Sequence, residues 1–504
     1  MAAEFNSELG RFGRIFPVQE TSTQETTFDA SVKGSKIVII GAGGMVFPLT
    51  LAADLLATPE LHHCELVLMD LSLKRAERTL NAVQELCEHH QIQLQVSATD
   101  NQKEALQGAK YIFLTFQVGG IEAYRMDIEI PRAYGIDCVA GDTMNPGGIM
   151  RFLRSMNAFD QIAADVLEIC PDALVLNYAN PMAMNVMYLS HLGLDVVGLC
   201  HSIPGTAQVI ADFLGMDAQL LAYQAAGINH QAFFLKLEVE GRDMQDDLRE
   251  VLRKQFLPSY GGTTPWTEGG PTYVGGQERV RAELMETFGY FISESSHHVS
   301  EYVPYFRQEV FELKSHLVRR WDYLKGSLQV AGKEQEMTRG ALENLKQNLC
   351  PSHEYGIKII AAMESGTETT VYANVMNDGL IPNLPDDACV EVPCKVTSGG
   401  LLPVAVGKIP PQCAGLNLTN IALQRTIVDA VIEQDARAVR AGFALDPLTA
   451  SVLDLPAIRQ LAEDLLHAQG KWLPGWLQES RRLRAPHLPG PRQYKSFCLL
   501  PSSK

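Results

Sequence analysis

Residues 196–205, VVGLCHSIPG, climb through an apolar run and stop at Cys200, His201 and Ser202 before a proline and a glycine. A thiol beside an imidazole at the mouth of a strand is a pairing suited to metal or proton chemistry. A second histidine, His230, lies in AGINHQAF (226–233). If Cys200 and His230 both sit at the carboxyl ends of strands, they face one crevice and could share a divalent metal. Thiolate is a soft ligand, which by itself favours zinc or iron, and plain burial of both side chains is the competing account. His62, His63, His89, His90, His297 and His298 come as adjacent pairs and read as solvated rather than ligating.

Other polar residues follow other apolar runs: Arg125 in GGIEAYRMD, Asp142 in GDTMNPGGIMR and Asn180 in NYANPM. Turn formation explains Asn180 before Pro181 and Asp142 after Gly141. Each also sits where a ligand of a doubly wound sheet must lie. KIVIIGAGGMV (36–46) is a buried-strand run followed at once by Gly41, Ala42, Gly43, Gly44, Met45 and Val46, and Asp70 ends the next such run. Glycines let backbone approach a pyrophosphate, a helix N-terminus supplies N–H groups, and the acid accepts from a ribose 2′-hydroxyl. This pattern implies NAD and disfavours NADP. Val46 stands where the usual fingerprint has its third glycine, and an ordinary strand-to-helix turn is the competing account.

The elements that must position these residues are legible as alternation. Short β-rich runs at 36–41, 64–70, 94–100, 111–116, 173–180 and 195–200 are separated by amphipathic segments such as 73–90, where Ala76, Leu80, Val83 and Leu86 share a face. The alternation predicts an α/β fold with a doubly wound parallel sheet. After about residue 240 the texture changes. Residues 257–277 read as a long surface loop, 390–410 as short antiparallel strands and 417–442 as helix, giving an α+β C-terminal part. We expect a loosely ordered arm at 1–34, a nucleotide domain at 35–205, a catalytic and substrate domain at 206–480 and a tail at 481–504.

A chain of 504 residues with a net charge of −17 can bury a large core and repels phosphate backbones and anionic lipid. Nucleic acid and membranes are therefore unexpected partners. Ten cysteines without a regular framework or an evident secretory leader suit reduced thiols and a cytoplasmic location. The most apolar stretch, 37–53, is broken by glycines and Pro48, so strand, turn and helix read better than a membrane span.

Taken together, GAGGMVF, GDTMNPGGIMR, NYANPM, GLCHSIPGTA, AGINHQAF, FGYFISESS and NLPDDACVEVP occur in an order that resembles glycoside hydrolase family 4, from about residue 36 to about 475. The motif CHS followed by an aliphatic residue is similar to the α-galactosidase branch. The resemblance implies NAD and manganese as cofactors, a small glycoside as substrate, and a path unlike the two-carboxylate scheme. That path is oxidation at C3, removal of the C2 proton, elimination of the leaving alcohol, addition of water and re-reduction. By the same resemblance, Cys200 and His230 are metal ligands, and Asn180 holds substrate beside them and also binds the cofactor. Tyr290 is the C2 base, Asp142 raises its basicity, His201 is the leaving-group acid that also touches substrate, and Arg125 binds substrate. We expect a homodimer or homotetramer. A 2-hydroxy-acid dehydrogenase or a non-catalytic nucleotide sensor would share the glycine turn but not need a metal cysteine.

Overall fold

The computed structural model describes residues 34–45, 47–138, 140–257, 259, 278–308 and 323–479. The expected arm before residue 34, the tail after 480, most of the expected 257–277 loop and Val46 lie outside the described residues.

Six strands, β1 (Lys36–Ile40), β2 (Glu65–Met69), β3 (Gln95–Thr99), β4 (Ala109–Leu114), β5 (Leu174–Asn177) and β6 (Val196–Gly198), coincide with the six β-rich runs. They pair in parallel in the order β3-β2-β1-β4-β5-β6, the order of a doubly wound dinucleotide fold. Alternate residues of each strand enter opposite cores: Ile37, Ile39, Leu66 and Leu68 face one way, Val38, Ile40, Val67 and Met69 the other. Both faces are covered, so these strands read as continuous apolar runs. The helices of this part are α1 (Phe47–Leu56), α2 (Leu73–His90), α3 (Gln102–Leu106), α4 (Gly120–Ala133), α5 (Asn145–Ile169), α6 (Met182–His191) and α7 (Ser202–Leu214). In α2 the predicted stripe residues Ala76, Val83 and Leu86 are buried together with Thr79 and Ala82, while Leu80 is half-buried against the same core.

The sheet does not end at β6. Later strands β7 (Ala222–Ile228), β8 (Gln231–Val239) and β9 (Arg242–Asp243) extend it, together with β10 (Thr369–Met376), β11 (Cys389–Thr397) and β12 (Gly400–Pro403), all antiparallel. Two narrow joints hold this extension: Asn374 opposite Gly198 joins β10 to β6, and Glu391 opposite Gly227 joins β11 to β7. At the first joint a Cβ on Gly198 would stand 2.5 Å from Met182 Sδ and 3.0 Å from Asn374 Cβ, so close approach requires glycine there. Cys200 lies two residues past one joint and His230 three past the other. The remaining helices used below are α8 (Gln245–Phe256), α9 (Arg279–Phe288), α10 (Ser296–Val299), α11 (Tyr355–Ser365) and α12 (Pro411–Ile432). A buried Arg154–Asp127 pair, 2.6 Å and 2.8 Å along its two bonds and shared with Gln469, ties α5 and α4 to the C-terminal helices.

Candidate active site

The turn after β1 is built around Asp70. Its Oδ2 accepts the Gly43 N–H at 2.9 Å and its Oδ1 the Ser72 N–H at 3.0 Å. A Cβ on Gly43 would lie 2.6 Å from that carboxylate, and Gly41, at φ 95°, abuts Phe116. Each carboxylate oxygen keeps a lone pair for a ribose hydroxyl, and the N-terminus of α1 faces the same turn. These residues fit a dinucleotide.

Across the carboxyl ends of the strands, Cys200 Sγ, His230 Nε2 and a Glu294 carboxylate oxygen lie within 4.8 Å of one another. Sequence reasoning paired the first two and missed Glu294. His230 Nε2 stands 3.5 Å from Glu294 Oε2, and both residues hold backbone in the left-handed region, φ 61° and 71°. That conformation is costly for residues with a Cβ and persists where surrounding structure dictates it. Burial raises the Glu294 carboxyl, but His298, His230 and the Ser295 N–H overcome it and hold the group down to about 2. Burial, with the Glu391 carboxylate behind it, pushes the Cys200 thiol up to about 12. A cation among the three would reverse that preference, because a coordinating thiol is deprotonated. One thiolate, one imidazole and one carboxylate suit a divalent ion with open positions.

His230 Nδ1 meets the hydroxyl of Tyr302 at 3.1 Å, and His298 Nδ1 meets the same hydroxyl at 3.1 Å. The Tyr302 ring stacks on His230 at 6.0 Å. Burial holds this phenol well above its ordinary value, and the Asp142, Glu294 and Glu301 carboxylates push it further. His297 and His298 are thus buried, contrary to the expectation of a solvated pair. The other paired histidines lie at or near the surface.

Tyr290 is elsewhere. The segment after α9 runs antiparallel to β8, with Ser293 N–H donating to Ala232 and Phe234 N–H to Phe291. Moving back from Ser293 to Tyr290 therefore moves a further three residues away from His230, roughly 10 Å at about 3.3 Å per residue. Tyr290 is half-buried against apolar residues. Moving forward along the same segment brings Glu294, His298 and Tyr302 onto His230. The signal was the turn residue Gly289, which ends α9 before Tyr290 and leaves that side chain on the wrong side of the register.

Asp142 accepts from Asn180 Nδ2 at 3.3 Å and from Thr143 Oγ1 at 3.0 Å. Its loop is held by buried Glu301, which accepts from the Ala140 and Gly141 N–H groups and Asn145 Nδ2. Asp142 and Asn180 come together, and the Asp142 carboxylate acts on Tyr302 rather than on Tyr290, the tyrosine the motif reading paired with it. Arg125 does not join them: it is exposed on α4 and pairs with Glu129 one turn on, at 2.8 Å. Arg151 of α5 takes that place instead, with Nη1 4.0 Å from Asp142 and a buried Nε that finds no hydrogen-bond partner among the described residues. The His201 ring is half exposed, with Nδ1 3.1 Å from Glu354 Oε1. Burial lowers its pKa, and the Glu354 carboxylate outweighs that and raises it to about 10.

A sequence profile described as family 4 glycosyl hydrolase matches residues 36–216, and that of the family's C-terminal domain matches 225–449. The chain belongs to glycosyl hydrolase family 4. This family 4 enzyme is 34% identical to an α-galactosidase of Bacillus subtilis over 87% of its length and 99% of the relative's. It is 33% identical to an α-galactosidase of Rhizobium meliloti, covering 87% of this chain and 89% of the other. Its fold is shared by a 6-phospho-α-glucosidase from gut microorganisms solved with NAD and glucose-6-phosphate, at TM-score 0.73 and 23% identity over 88% of this chain and 99% of that one. It is also shared by a Thermotoga maritima 6-phospho-β-glucosidase solved with manganese, NAD+ and glucose-6-phosphate, at TM-score 0.70 and 20% identity over 87% and 99% of the two chains. The chain is a glycoside hydrolase, and the plain dehydrogenase reading is not favoured.

Proposed function

We propose that this enzyme is an α-galactosidase that needs NAD and a divalent metal, manganese among the candidates, and acts through C2–H cleavage. The observation that carries the reading is the Cys200–His230–Glu294 cluster with Tyr302 against it. The α-galactosidase relatives supply the sugar, and the relatives solved with NAD and manganese supply the cofactor pair. When bound, NAD brings reversible oxidation at the sugar and the cation brings a Lewis acid for its oxygens.

The chain's own residues do the rest. Gly41–Gly44 and Asp70 hold the nucleotide, and Cys200, His230 and Glu294 hold the cation. A His230 that offers Nε2 to a metal carries its proton on Nδ1, and that N–H points at Tyr302 Oη. His298 Nδ1 is a second donor at the same oxygen. Two donors and a nearby cation favour the phenolate that burial opposes. Tyr302 Oη takes the C2 proton, so this role moves from Tyr290 to Tyr302. Asn180 and Arg151 orient the sugar against Asp142, and His201 protonates the departing oxygen. We place the enzyme in the cytoplasm, a reading supported by unpaired cysteines throughout the described residues, and expect it to act as a homodimer or homotetramer.

A panel of nitrophenyl α- and β-glycosides with NAD and manganese tests the sugar and the cofactors. Hydrolysis in heavy water tests the path: the released sugar should carry deuterium at C2, and protium alone would remove the elimination mechanism.

A further inference from the structure

His201 occupies the N-cap of α7, and its ring Nε2 has no hydrogen-bond partner among the described residues. Nδ1 alone is held, by a Glu354 side chain that is only 11% exposed while the imidazole above it is 48% exposed. The second carboxylate oxygen, Oε2, is buried and meets no close hydrogen-bond partner among the described residues, while the Tyr178 hydroxyl lies near enough to the carboxylate to interact with it, so the His201 ring is the close side-chain hydrogen bond this carboxylate makes. An exposed surface pair would contribute little and fix nothing. Here one member is buried and anchored. Glu354 occupies the N-cap position of α11 without a side-chain capping bond, and its N–H donates to Ser352 Oγ at 3.1 Å. Ser352 in turn donates from N and Oγ to Asp54 of α1, each at 2.6 Å. The next turn is pinned where Gly356 N–H donates to the Tyr178 hydroxyl at 3.0 Å. The carboxylate is thereby referenced to α1, the helix of the nucleotide turn, and to the end of β5.

We propose that Glu354 is the positioning residue of the leaving-group acid, holding Nδ1–H of His201 so that Nε2 faces the departing glycosidic oxygen. The proposal rests on the reading of His201 as that acid. In the step, the C1–O bond breaks with its electron pair going to oxygen. That oxygen takes the Nε2 proton, and the N–H pair stays on the ring, which becomes neutral. Nδ1–H remains on Glu354 throughout, so the ring cannot rotate between donations. This is the division of labour by which a buried carboxylate sets the tautomer and direction of a catalytic imidazole.

The test compares H201A, E354A and E354Q on 4-nitrophenyl α-galactoside, whose leaving group needs no proton, and methyl α-galactoside, whose leaving group does. In the native enzyme bond cleavage follows oxidation and deprotonation, so turnover should depend weakly on the leaving group. In E354Q, kcat on the methyl glycoside should fall about 10- to 100-fold, with less than about threefold loss on the nitrophenyl glycoside and KM nearly unchanged. NAD affinity, read by fluorescence titration, should stay within about twofold. Glutamine keeps the volume of Glu354, so a packing role predicts native behaviour in E354Q. That result, or equal losses on both substrates, overturns the proposal. If H201A shows no leaving-group dependence, the acid assignment itself is wrong. If H201A shows it and E354Q does not, only the role of Glu354 is lost.

Discussion

At the scale of residues, the site turns on which side chains share the oxygen of Tyr302. Its two histidine partners and the Asp142 carboxylate converge there, whereas Tyr290 lies farther along the strand register. Tyr302→Phe should lower kcat by about 10²–10⁴-fold with little change in KM, the range for a lost general base. Tyr290→Phe should leave kcat within about twofold. Steady-state assays on a nitrophenyl α-galactoside measure both, and the reverse ranking would return the base to Tyr290. Glu294→Gln should weaken manganese binding by at least about tenfold, measured by paramagnetic resonance titration with NAD affinity as the control. Unchanged manganese affinity would leave Cys200 and His230 as the only protein ligands. Cys200 and His230 were legible as a candidate pair because their types can ligate and the family resemblance singled them out. Glu294 was not, because a carboxylate before a serine pair reads equally well as a helix cap.

At the scale of elements, the site is assembled beside two single-residue joints, one where the parallel sheet meets the antiparallel extension and one between β11 and β7 within that extension. Gly198 sits at one of those joints, against Met182 and Asn374. Gly198→Ala should cost about 1–3 kcal/mol by overpacking and weaken manganese binding, because Cys200 is two residues on. Thermal melts and metal titration of the same protein check both effects. A loss of stability with native metal affinity would show that the joint does not set the position of Cys200. The parallel strands were readable from their apolar runs and intervening amphipathic helices. The β7–β8 hairpin and β10 were not singled out, since their residues alternate less cleanly and their pairing is with distant strands.

At the scale of the whole molecule, several buried carboxyls stay protonated more readily than in the unfolded chain. Burial raises Asp54 to about 7 and Asp446 to about 6, each beyond what their hydrogen bonds offset. A carboxyl raised in the fold contributes fully below its unfolded value near 4, and that contribution is lost as pH climbs to the folded value. The ligand-free protein should therefore melt at lower temperature at pH 8 than at pH 5. For Asp54 the loss is on the order of 4 kcal/mol. Asp54→Asn should flatten the slope between about pH 4 and pH 7, and an unchanged slope would assign it to other groups. Glu294 works in the opposite sense, contributing above about pH 4 and losing that contribution as pH falls toward about 2. What the sequence by itself determined is the local grammar: the glycine turn with Asp70, the six parallel strands and the choice of Cys200 and His230 as a candidate pair. Those follow from periodicity and from residue types with few alternative uses. Which tyrosine, which arginine and which carboxylate lie against that pair and its neighbours was decided only in the tertiary structure. Their places depend on strand register and on joints between segments far apart in the chain, and a shift of a few residues in register moves a side chain about 10 Å without altering the local pattern.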